Sequence, residues 1–225
     1  METLPVHDRR PPARIYLVDD HALVRHGLRE LISQESDLEV CGDAADAAVA
    51  LADIERFAPD LVVIDISLKG GNGIDLIKRI RPHLPNTKML VASMHDESLY
   101  AERALHAGAH GYINKQEATE TVIEAIRHVL DGQVYLSPAM TGQVLKRLAG
   151  GETVSSSPSV DRLTDRELQV FELVGQGLST RAIAAQLHLS VKTIETYREH
   201  IKVKLGLKNA AELNRYAVQW TLENS

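Results

Sequence analysis

Five polar side chains with chemically useful groups follow short apolar runs in the first half of this sequence. They are Asp19, Asp20, Asp65, Ser93 and Lys115. The runs that precede them occupy residues 15–18, 61–64, 89–92 and 111–113. Such runs of Val, Ile and Leu are typical of strands that are buried on both faces of a sheet. A further run, at residues 38–41, has no reactive residue after it.

A crevice that contains three carboxylates needs a cation, because like charges brought together repel one another. Hard oxygen ligands suit Mg²⁺, so a divalent ion is the expected cofactor. With that ion present, Asp65 can act as a nucleophile toward a phosphoryl group and form an aspartyl-phosphate. Lys115 would then balance the phosphate charge, and Ser93 would donate a hydrogen bond to a phosphoryl oxygen. Taken singly, an Asp after a strand is more often a turn or helix N-cap residue.

Helix-like segments separate the apolar runs, and this alternation predicts where the polar groups lie. Strands that alternate with helices favour a parallel sheet covered on both faces. Right-handed crossovers place the C-terminal ends of its strands at one edge. We therefore expect a doubly wound α/β domain with a five-stranded parallel sheet, in which the five polar groups converge in one crevice.

The first half of the chain resembles the receiver domains of two-component response regulators. The matching strings are Leu17-Val-Asp-Asp-His21 with Gly27-Leu28, Val63-Ile-Asp-Ile-Ser67 with Gly73, and Ala107-Gly-Ala109 with Gly111-Tyr112 and Lys115. The resemblance implies a flavodoxin-like fold over residues 14–131, with Asp65 as the phosphoacceptor.

The resemblance also implies roles for the residues around Asp65. Asp20 and Asp65 would bind the metal directly together with the Ser67 carbonyl, and Asp19 would act largely through water. Ser93 and Tyr112 match the hydroxyl and aromatic positions that receivers use as a switch. In receivers, the residues two after the phosphoacceptor and two after the hydroxyl border the path of the attacking water, and here they are Ser67 and His95.

Two positions depart from the common receiver pattern. Leu68-Lys69 stands where receivers commonly carry Met-Pro, and Gln116 stands where they carry Pro after the lysine. A cis bond before a residue other than proline costs about 2.5–4 kcal/mol, so the Lys115–Gln116 bond is not assumed to be cis.

Composition places the chain among ordinary globular proteins with two small domains. It has 225 residues, 44% of them hydrophobic, one cysteine and a formal net charge of −6. The acidic balance belongs to residues 1–150, whereas residues 161–225 hold nine Lys and Arg against eight Asp and Glu. No apolar run approaches the roughly 20 residues that span a bilayer, and the first twelve residues have no apolar signal core. We expect a cytoplasmic protein without membrane contact.

The second half reads as a connection followed by a compact helical domain. Residues 132–160 should hold a short helix over 138–148 and a Gly, Ser and Pro-rich linker near 150–158. After it, Thr164 and Glu167 have the spacing of a capping box that starts a helix. A second helix opens at Ser179, and a third runs over 191–205 after a Ser190 cap. A fourth helical segment is expected over 210–222. The spacing of these helices predicts a helix-turn-helix domain in residues 161–225.

The segment from Leu163 to Leu207 resembles the LuxR-type DNA-binding domain. The matching strings are Leu-Thr-x-Arg-Glu at its start, Leu-x-x-Ser-Val-Lys-Thr-Ile-Glu-Thr-x-Arg into the third helix, and Lys204-Leu205-Gly206. Tyr197 stands where the class often has His. Joined behind a receiver, this segment resembles the NarL/FixJ class of response regulators.

DNA contact is expected from the polar side of the third helix. Phosphate contacts are assigned to Lys192, Arg198, Lys202 and Lys204, with Arg181 and Lys208 as further candidates. Thr196 would contact a thymine methyl group, and Glu195 or Glu199 would accept from a cytosine amino group. The alternative for the two glutamates is a helix-surface ion pair.

The sequence therefore predicts a transcription factor that is activated by phosphorylation. A sensor histidine kinase or a small phosphodonor would supply the phosphoryl group, and a homodimer would bind paired half-sites in promoter DNA. RNA polymerase is a candidate partner. A turnover phosphohydrolase is disfavoured, because it would want a carboxylate two residues after the nucleophile, where Ser67 stands. The remaining alternative is a constitutive DNA-binding regulator whose receiver serves only for dimerisation.

Overall fold

The first part of the chain is a five-stranded parallel sheet. The computed structural model describes residues 11–69, 71–116, 119–148 and 160–223. The strands of the main sheet are β1 (Ala13–Val18), β2 (Leu38–Ala44), β3 (Leu61–Ile64), β6 (Lys88–Ser93) and β7 (Gly111–Asn114). Their order is β2-β1-β3-β6-β7, with every pairing parallel. A small antiparallel hairpin, which the sequence did not predict, follows β3 and is formed by β4 (Ser67–Leu68) and β5 (Gly71–Asn72).

Five helices cover the two faces of this sheet. They are α1 (Ala22–Ser33), α2 (Ala47–Phe57), α3 (Gly73–His83), α4 (Glu97–Ala107) and α5 (Thr119–Leu130). Ile15 and Leu17 point to the side of α1 and α5, where Ile32 and Ile126 are fully buried. Their neighbours in β1, Tyr16 and Val18, pack on the other side against α2, α3 and α4. This alternation confirms the doubly wound α/β domain.

The second part of the described chain is all-helical. Its elements are α6 (Pro138–Leu148), a 3-10 turn (Val160–Arg162), α7 (Asp165–Gly175), α8 (Thr180–Gln186), α9 (Val191–Leu205) and α10 (Ala210–Glu223). Side-chain oxygens of Thr164, Ser179 and Ser190 cap α7, α8 and α9. This arrangement confirms the helix-turn-helix unit. The linker predicted near residues 150–158 lies outside the described residues.

Apolar side chains from all four main helices of the helical domain are buried. Phe171, Ile183, Ile194, Ile201 and Leu213 are fully buried there. Phe171 also packs against the single tryptophan, Trp220, with ring centroids 5.5 Å apart. Within the described ranges, no helix has both the length and the apolar character needed to cross a membrane.

Gly73 lets the start of α3 pass close to the backbone of Asp65. Its amide donates to the Ile66 carbonyl at 2.8 Å. A Cβ atom at residue 73 would lie 2.0 Å from the Asp65 carbonyl oxygen, and backbone cannot yield as a flexible side chain can. Gly27, in the middle of α1, has nothing within 4 Å of its hypothetical Cβ.

Alanine substitutions at these two glycines should therefore have opposite effects. We expect Gly73→Ala to lower the free energy of unfolding by about 2 kcal/mol, the usual cost of overpacking. Gly27→Ala should raise it by roughly 0.5–1 kcal/mol, because alanine favours a helix interior. Urea unfolding followed by circular dichroism measures both. Equal stabilities of the two variants would show that the loop after Asp65 adjusts freely.

Glu167 is a buried carboxylate at the start of α7. It accepts from the backbone amide of Thr164 at 2.8 Å and from Lys204 Nζ at 2.6 Å, and it is 3% exposed. Burial by itself would raise the pKa of Glu167, but these hydrogen bonds outweigh burial and hold its pKa below the usual 4.5. A lowered folded-state pKa contributes stability above the unfolded value, and that stability is lost as the pH falls through the folded value.

Glu167→Gln should therefore destabilise the helical domain in a pH-dependent way. We expect a loss of about 1 kcal/mol at pH 7, shrinking as the pH falls below 4.5. Urea unfolding followed by Trp220 fluorescence reports on this domain. Glu124→Gln, at an exposed position of α5, is the matched control. A loss that stayed constant with pH would assign the effect to capping geometry alone.

Candidate functional site

Backbone hydrogen bonds at the C-terminal edge of the sheet fix the positions of three charged residues. The amide of Asp19 donates to Ala44 O at 3.1 Å, that of Asp65 to Val18 O at 2.8 Å, and that of Lys115 to Ser93 O at 2.9 Å. Each bond extends a strand ladder past its last residue. The three side chains are therefore carried by the rigid sheet rather than by free loops.

A buried lysine joins the two most buried carboxylates at this edge. Lys115 Nζ lies 2.5 Å from Asp19 Oδ2 and 2.9 Å from Asp65 Oδ2, while Asp19 and Asp65 are 2% and 4% exposed. Burial raises the pKa of Asp65, the charge of Lys115 opposes that rise, and the charge of Asp19 adds to it. The structure thus brings together three residues that lie almost a hundred positions apart in the sequence.

The donor set around Asp20 fits a divalent cation. Asp19, Asp20, Asp65 and His21 each offer one ligand atom, and these atoms lie within 4.8 Å of one another. Asp20 Oδ1 is a buried carboxylate oxygen whose near neighbour is His21 Nδ1 at 2.7 Å, and it makes no hydrogen bond of good geometry among the described residues. Such an oxygen can serve a cation. The position of His21 beside the acidic pair was not anticipated. Metal ligation by the Ser67 carbonyl stays a prediction.

Ser93 and Tyr112, the predicted switch pair, are both buried next to Asp65. The Ser93 hydroxyl accepts from the His95 amide at 3.4 Å, and its proximity opposes the rise that burial causes in the pKa of Asp65 and of Tyr112. Tyr112 donates its hydroxyl proton to the carbonyl of His95 at 2.8 Å, and burial raises its pKa well above 10. Any movement of Ser93 toward a group on Asp65 would therefore change the surroundings of the tyrosine.

The two departures from the receiver pattern have simple structural outcomes. No cis peptide bond occurs among the described residues, so the Lys115–Gln116 bond is trans. The Gln116 amide donates to Asn114 Oδ1 at 2.9 Å. Lys69 is exposed beside the β4–β5 hairpin.

Helix α7 of the helical domain lies over the crevice. Gln169 Nε2 is 3.4 Å from Ser67 Oγ, and Glu172 Oε2 is 3.3 Å from His95 Nδ1. The same Glu172 oxygen accepts from the Tyr100 hydroxyl at 2.7 Å.

A second set of polar contacts fastens the start of α7 to α3 and α4. Arg103 of α4 donates to Leu163 O at 2.7 Å and lies 3.2 Å from Asp165 Oδ1. Lys78 of α3 lies 3.0 Å from Asp165 Oδ2. The two domains are thus joined by hydrogen bonds and ion pairs, in addition to an apolar cluster that contains buried side chains of both domains. This contact was not predicted from the sequence, although Asp165, Gln169 and Glu172 have the spacing of one helix face.

The predicted base-reading face of α9 is exposed. Lys192, Glu195, Thr196 and Glu199 are all exposed, and Val203 beside them is 80% exposed. The Thr196 hydroxyl donates to the Lys192 carbonyl at 3.0 Å. Docking of α7 on the α/β domain therefore leaves this face open.

The other predicted phosphate contacts have partners inside the helical domain. Lys204 is paired with Glu167 and Lys202 with Glu199, at 2.9 Å for the latter. Arg198 donates to Asn214 Oδ1 at 2.8 Å, and burial lowers its pKa. Arg181 and Lys208 are exposed. Lys192 is thus the most accessible of the four principal cations assigned to DNA.

Comparison with known proteins agrees with both halves of this arrangement. Residues 15–127 match the family described as "Response regulator receiver domain". Residues 161–217 match the family described as "Bacterial regulatory proteins, luxR family".

Curated relatives cover nearly the whole chain. The oxygen regulatory protein NreC of Staphylococcus aureus strain MRSA252 is 34% identical over 210 residues, which is 92% of this chain and 97% of that protein. NreC of Staphylococcus carnosus strain TM300 has the same identity and coverage.

Solved structures agree with the fold, one of them over only part of this chain and one over nearly all of it. A LuxR-family two-component response regulator from Aurantimonas is 36% identical, with a TM-score of 0.57 over 61% of this chain and 99% of that chain. RcsB of Salmonella enterica serovar Typhimurium, bound to promoter P1flhDC with the phosphomimetic BeF3⁻, is 26% identical, with a TM-score of 0.61 over 91% and 98%. The chain therefore belongs to the NarL/FixJ class of two-component response regulators, which join a receiver domain to a LuxR-type DNA-binding domain.

Proposed function

We propose that this response regulator is a transcription factor activated by Mg²⁺-dependent phosphorylation of Asp65. The observation that carries the proposal is the buried cluster in which Lys115 contacts both Asp19 and Asp65. A carboxylate held at the end of a rigid strand, beside the ammonium group of a lysine, is positioned to act as a nucleophile. A receiver kept only for dimerisation would not need this complete set.

Phosphoryl transfer then depends on three residues. A carboxylate oxygen of Asp65 attacks phosphorus, forming an O–P bond while the bond to the donor's leaving group breaks. Lys115 offsets the negative charge of the phosphoryl oxygens, and Ser93 donates a hydrogen bond to one of them. Asp20, Asp65 and the Ser67 carbonyl would hold Mg²⁺, with Asp19 acting largely through water, and the ion would supply further charge neutralisation.

Phosphorylation would act on the rest of the receiver through the Ser93 and Tyr112 pair. A phosphoryl group adds about −1.5 to −2 charge and new acceptor oxygens. Ser93 is drawn toward them and leaves its present partners, which frees Tyr112 to repack. The hydrogen bond from Tyr112 to the His95 carbonyl connects this movement to the loop that α7 contacts.

The phosphoryl donor and the DNA partner follow from the two domains. A sensor histidine kinase, or a small phosphodonor, would supply the phosphoryl group in the cytoplasm. Helix α9 would lie in the major groove of promoter DNA. Phosphate contacts would come from Lys192, Arg198, Lys202 and Lys204, and base contacts from Glu195, Thr196 and Glu199. The RcsB structure bound to promoter rprA in the presence of BeF3⁻ supports this assignment.

Binding as a homodimer to paired half-sites fits the small size of the α9 face that would contact bases. One short helix makes few base contacts, and a two-fold pair shares them across a symmetric site. Contact with RNA polymerase would follow at promoters where this regulator activates transcription. The receiver takes up and loses its own phosphoryl group and is not a turnover enzyme.

Asp65→Asn should abolish acid-labile phosphate incorporation, because an amide is not a nucleophile toward phosphorus. Incubation with acetyl phosphate and Mg²⁺, followed by intact-mass measurement, detects the added phosphoryl group. Asp131→Asn, at an exposed position after α5, is the control and should label like the wild type. Full labelling of Asp65→Asn would place the phosphoacceptor elsewhere.

Lys192→Ala should weaken binding to specific and unrelated DNA alike. The loss of one phosphate contact lowers the slope of log K against log salt by about one unit. Fluorescence anisotropy over a salt series measures that slope, and Lys146→Ala on α6, also exposed, is the control. An unchanged slope would assign Lys192 to the solvated side of α9.

A further inference from the structure

Two side chains that border the Asp65 crevice are held by the DNA-binding domain. Ser67 Oγ lies 2.9 Å from His95 Nε2, so these two residues contact each other across the mouth of the crevice. On the far side of this pair, Gln169 contacts Ser67 and Glu172 contacts His95. The pair is therefore enclosed between the receiver and α7.

Glu172 makes the contact that fixes the orientation of the His95 ring. Its carboxylate lies 3.3 Å from His95 Nδ1, and Nε2 at the opposite side of the ring meets Ser67. The Tyr100 hydroxyl anchors the same carboxylate oxygen. Tyr100 also packs against the His95 ring with centroids 4.7 Å apart. The ring thus has a polar contact at each nitrogen and a tilted tyrosine ring beside it.

These groups are shielded from solvent. Gln169 is 1% exposed and Tyr100 is fully buried, and the side chain of Glu172 is 12% exposed. A buried carboxylate is retained only where its hydrogen bonds are satisfied. Here the carboxylate is that of Glu172 in the DNA-binding domain, and the groups that contact it, on Tyr100 and His95, belong to the receiver.

We propose that Glu172 is a positioning residue that acts through His95 and thereby places the lifetime of the phosphoryl group under control of the DNA-binding domain. The inference rests on the proposed phosphorylation of Asp65. With α7 docked, His95 and Ser67 cover the approach to the crevice. When Glu172 moves away, the His95 ring is no longer held in this orientation, and water can reach the crevice.

The direction of the effect follows from the geometry of hydrolysis. Water must attack phosphorus roughly in line with the bond to the leaving Asp65 oxygen, so the water must come from the open side of the crevice. The resemblance to receivers implies that His95 and Ser67 border that side. A ring held in place excludes water, and a released ring admits it. Loss of the Glu172 contact should therefore shorten the phosphoryl lifetime.

The decisive experiment compares Glu172→Met with Glu172→Gln in the full chain. Methionine keeps the bulk of the side chain but makes no polar contact with the imidazole, so the phosphoryl half-life should fall by about threefold or more, the rate equivalent of one polar contact. Glutamine keeps an acceptor for both Tyr100 and His95 and should restore most of the half-life. Each protein is labelled with acetyl phosphate and Mg²⁺, the donor is removed, and loss of phosphate is followed by intact mass.

Three further variants separate positioning from general destabilisation. Glu124→Met makes the same change at an exposed site on α5 and should leave the half-life unchanged. Tyr100→Phe removes only the hydroxyl that anchors Glu172 and should shorten the half-life less than Glu172→Met does. His95→Ala should shorten the half-life as much as Glu172→Met does. The double variant of His95→Ala with Glu172→Met should lose phosphate no faster than His95→Ala alone.

The outcomes distinguish this inference from the function on which it rests. Failure of the wild-type chain to label at Asp65 would contradict the proposed function. Normal labelling with equal half-lives for wild type and Glu172→Met would overturn the inference alone. It would be overturned also if glutamine behaved like methionine, or if the effects of Glu172→Met and His95→Ala multiplied in the double variant.

Discussion

The ion pairs of Lys115 with Asp19 and Asp65 are the interaction on which the rest of the site depends. Three charged groups are held almost out of water, and an unpaired carboxylate at such a position would cost several kcal/mol. One lysine cannot neutralise Asp19, Asp20 and Asp65 together, so the crevice retains negative charge that suits a cation. The backbone around it is correspondingly constrained, from the strand-end hydrogen bonds to the glycine at residue 73, where the chain passes too close to Asp65 for a Cβ atom.

The sheet and its helices could be predicted from the sequence because their signals are local. The apolar runs at residues 15–18 and 61–64 are buried strands, and the capping box at Thr164 and Glu167 forms as its spacing indicated. Parallel topology then brings Asp19, Asp65 and Lys115 to one edge without further information. The β4–β5 hairpin escaped prediction because two-residue strands carry no periodic pattern.

The contact between the domains could not be predicted, and the reason is physical. Asp165, Gln169 and Glu172 are polar residues on one face of α7, which is the usual pattern of a solvated helix surface. Their burial depends on partners in another domain, at Lys78, Arg103 and Tyr100, and no local spacing connects those positions. The pairing of Lys204 with Glu167 was also not predicted, because it joins two helices of the same domain at positions 37 residues apart. Lys204 was assigned to DNA from its charge and its place on the third helix.

The polar part of the contact between the domains is suited to reversible docking. Buried ion pairs and hydrogen bonds largely repay their own desolvation rather than adding net stability, so opening this part of the contact costs less than opening an apolar surface of equal area. The groups on the receiver side of the contact lie next to the proposed phosphorylation site: Ser67 is two residues from Asp65, and the His95 carbonyl accepts from Tyr112. A charge placed on Asp65 would therefore change the strength of the contacts that hold α7 on the receiver. By linkage, docking of α7 would change the free energy of the phosphorylated state of Asp65 by the same amount.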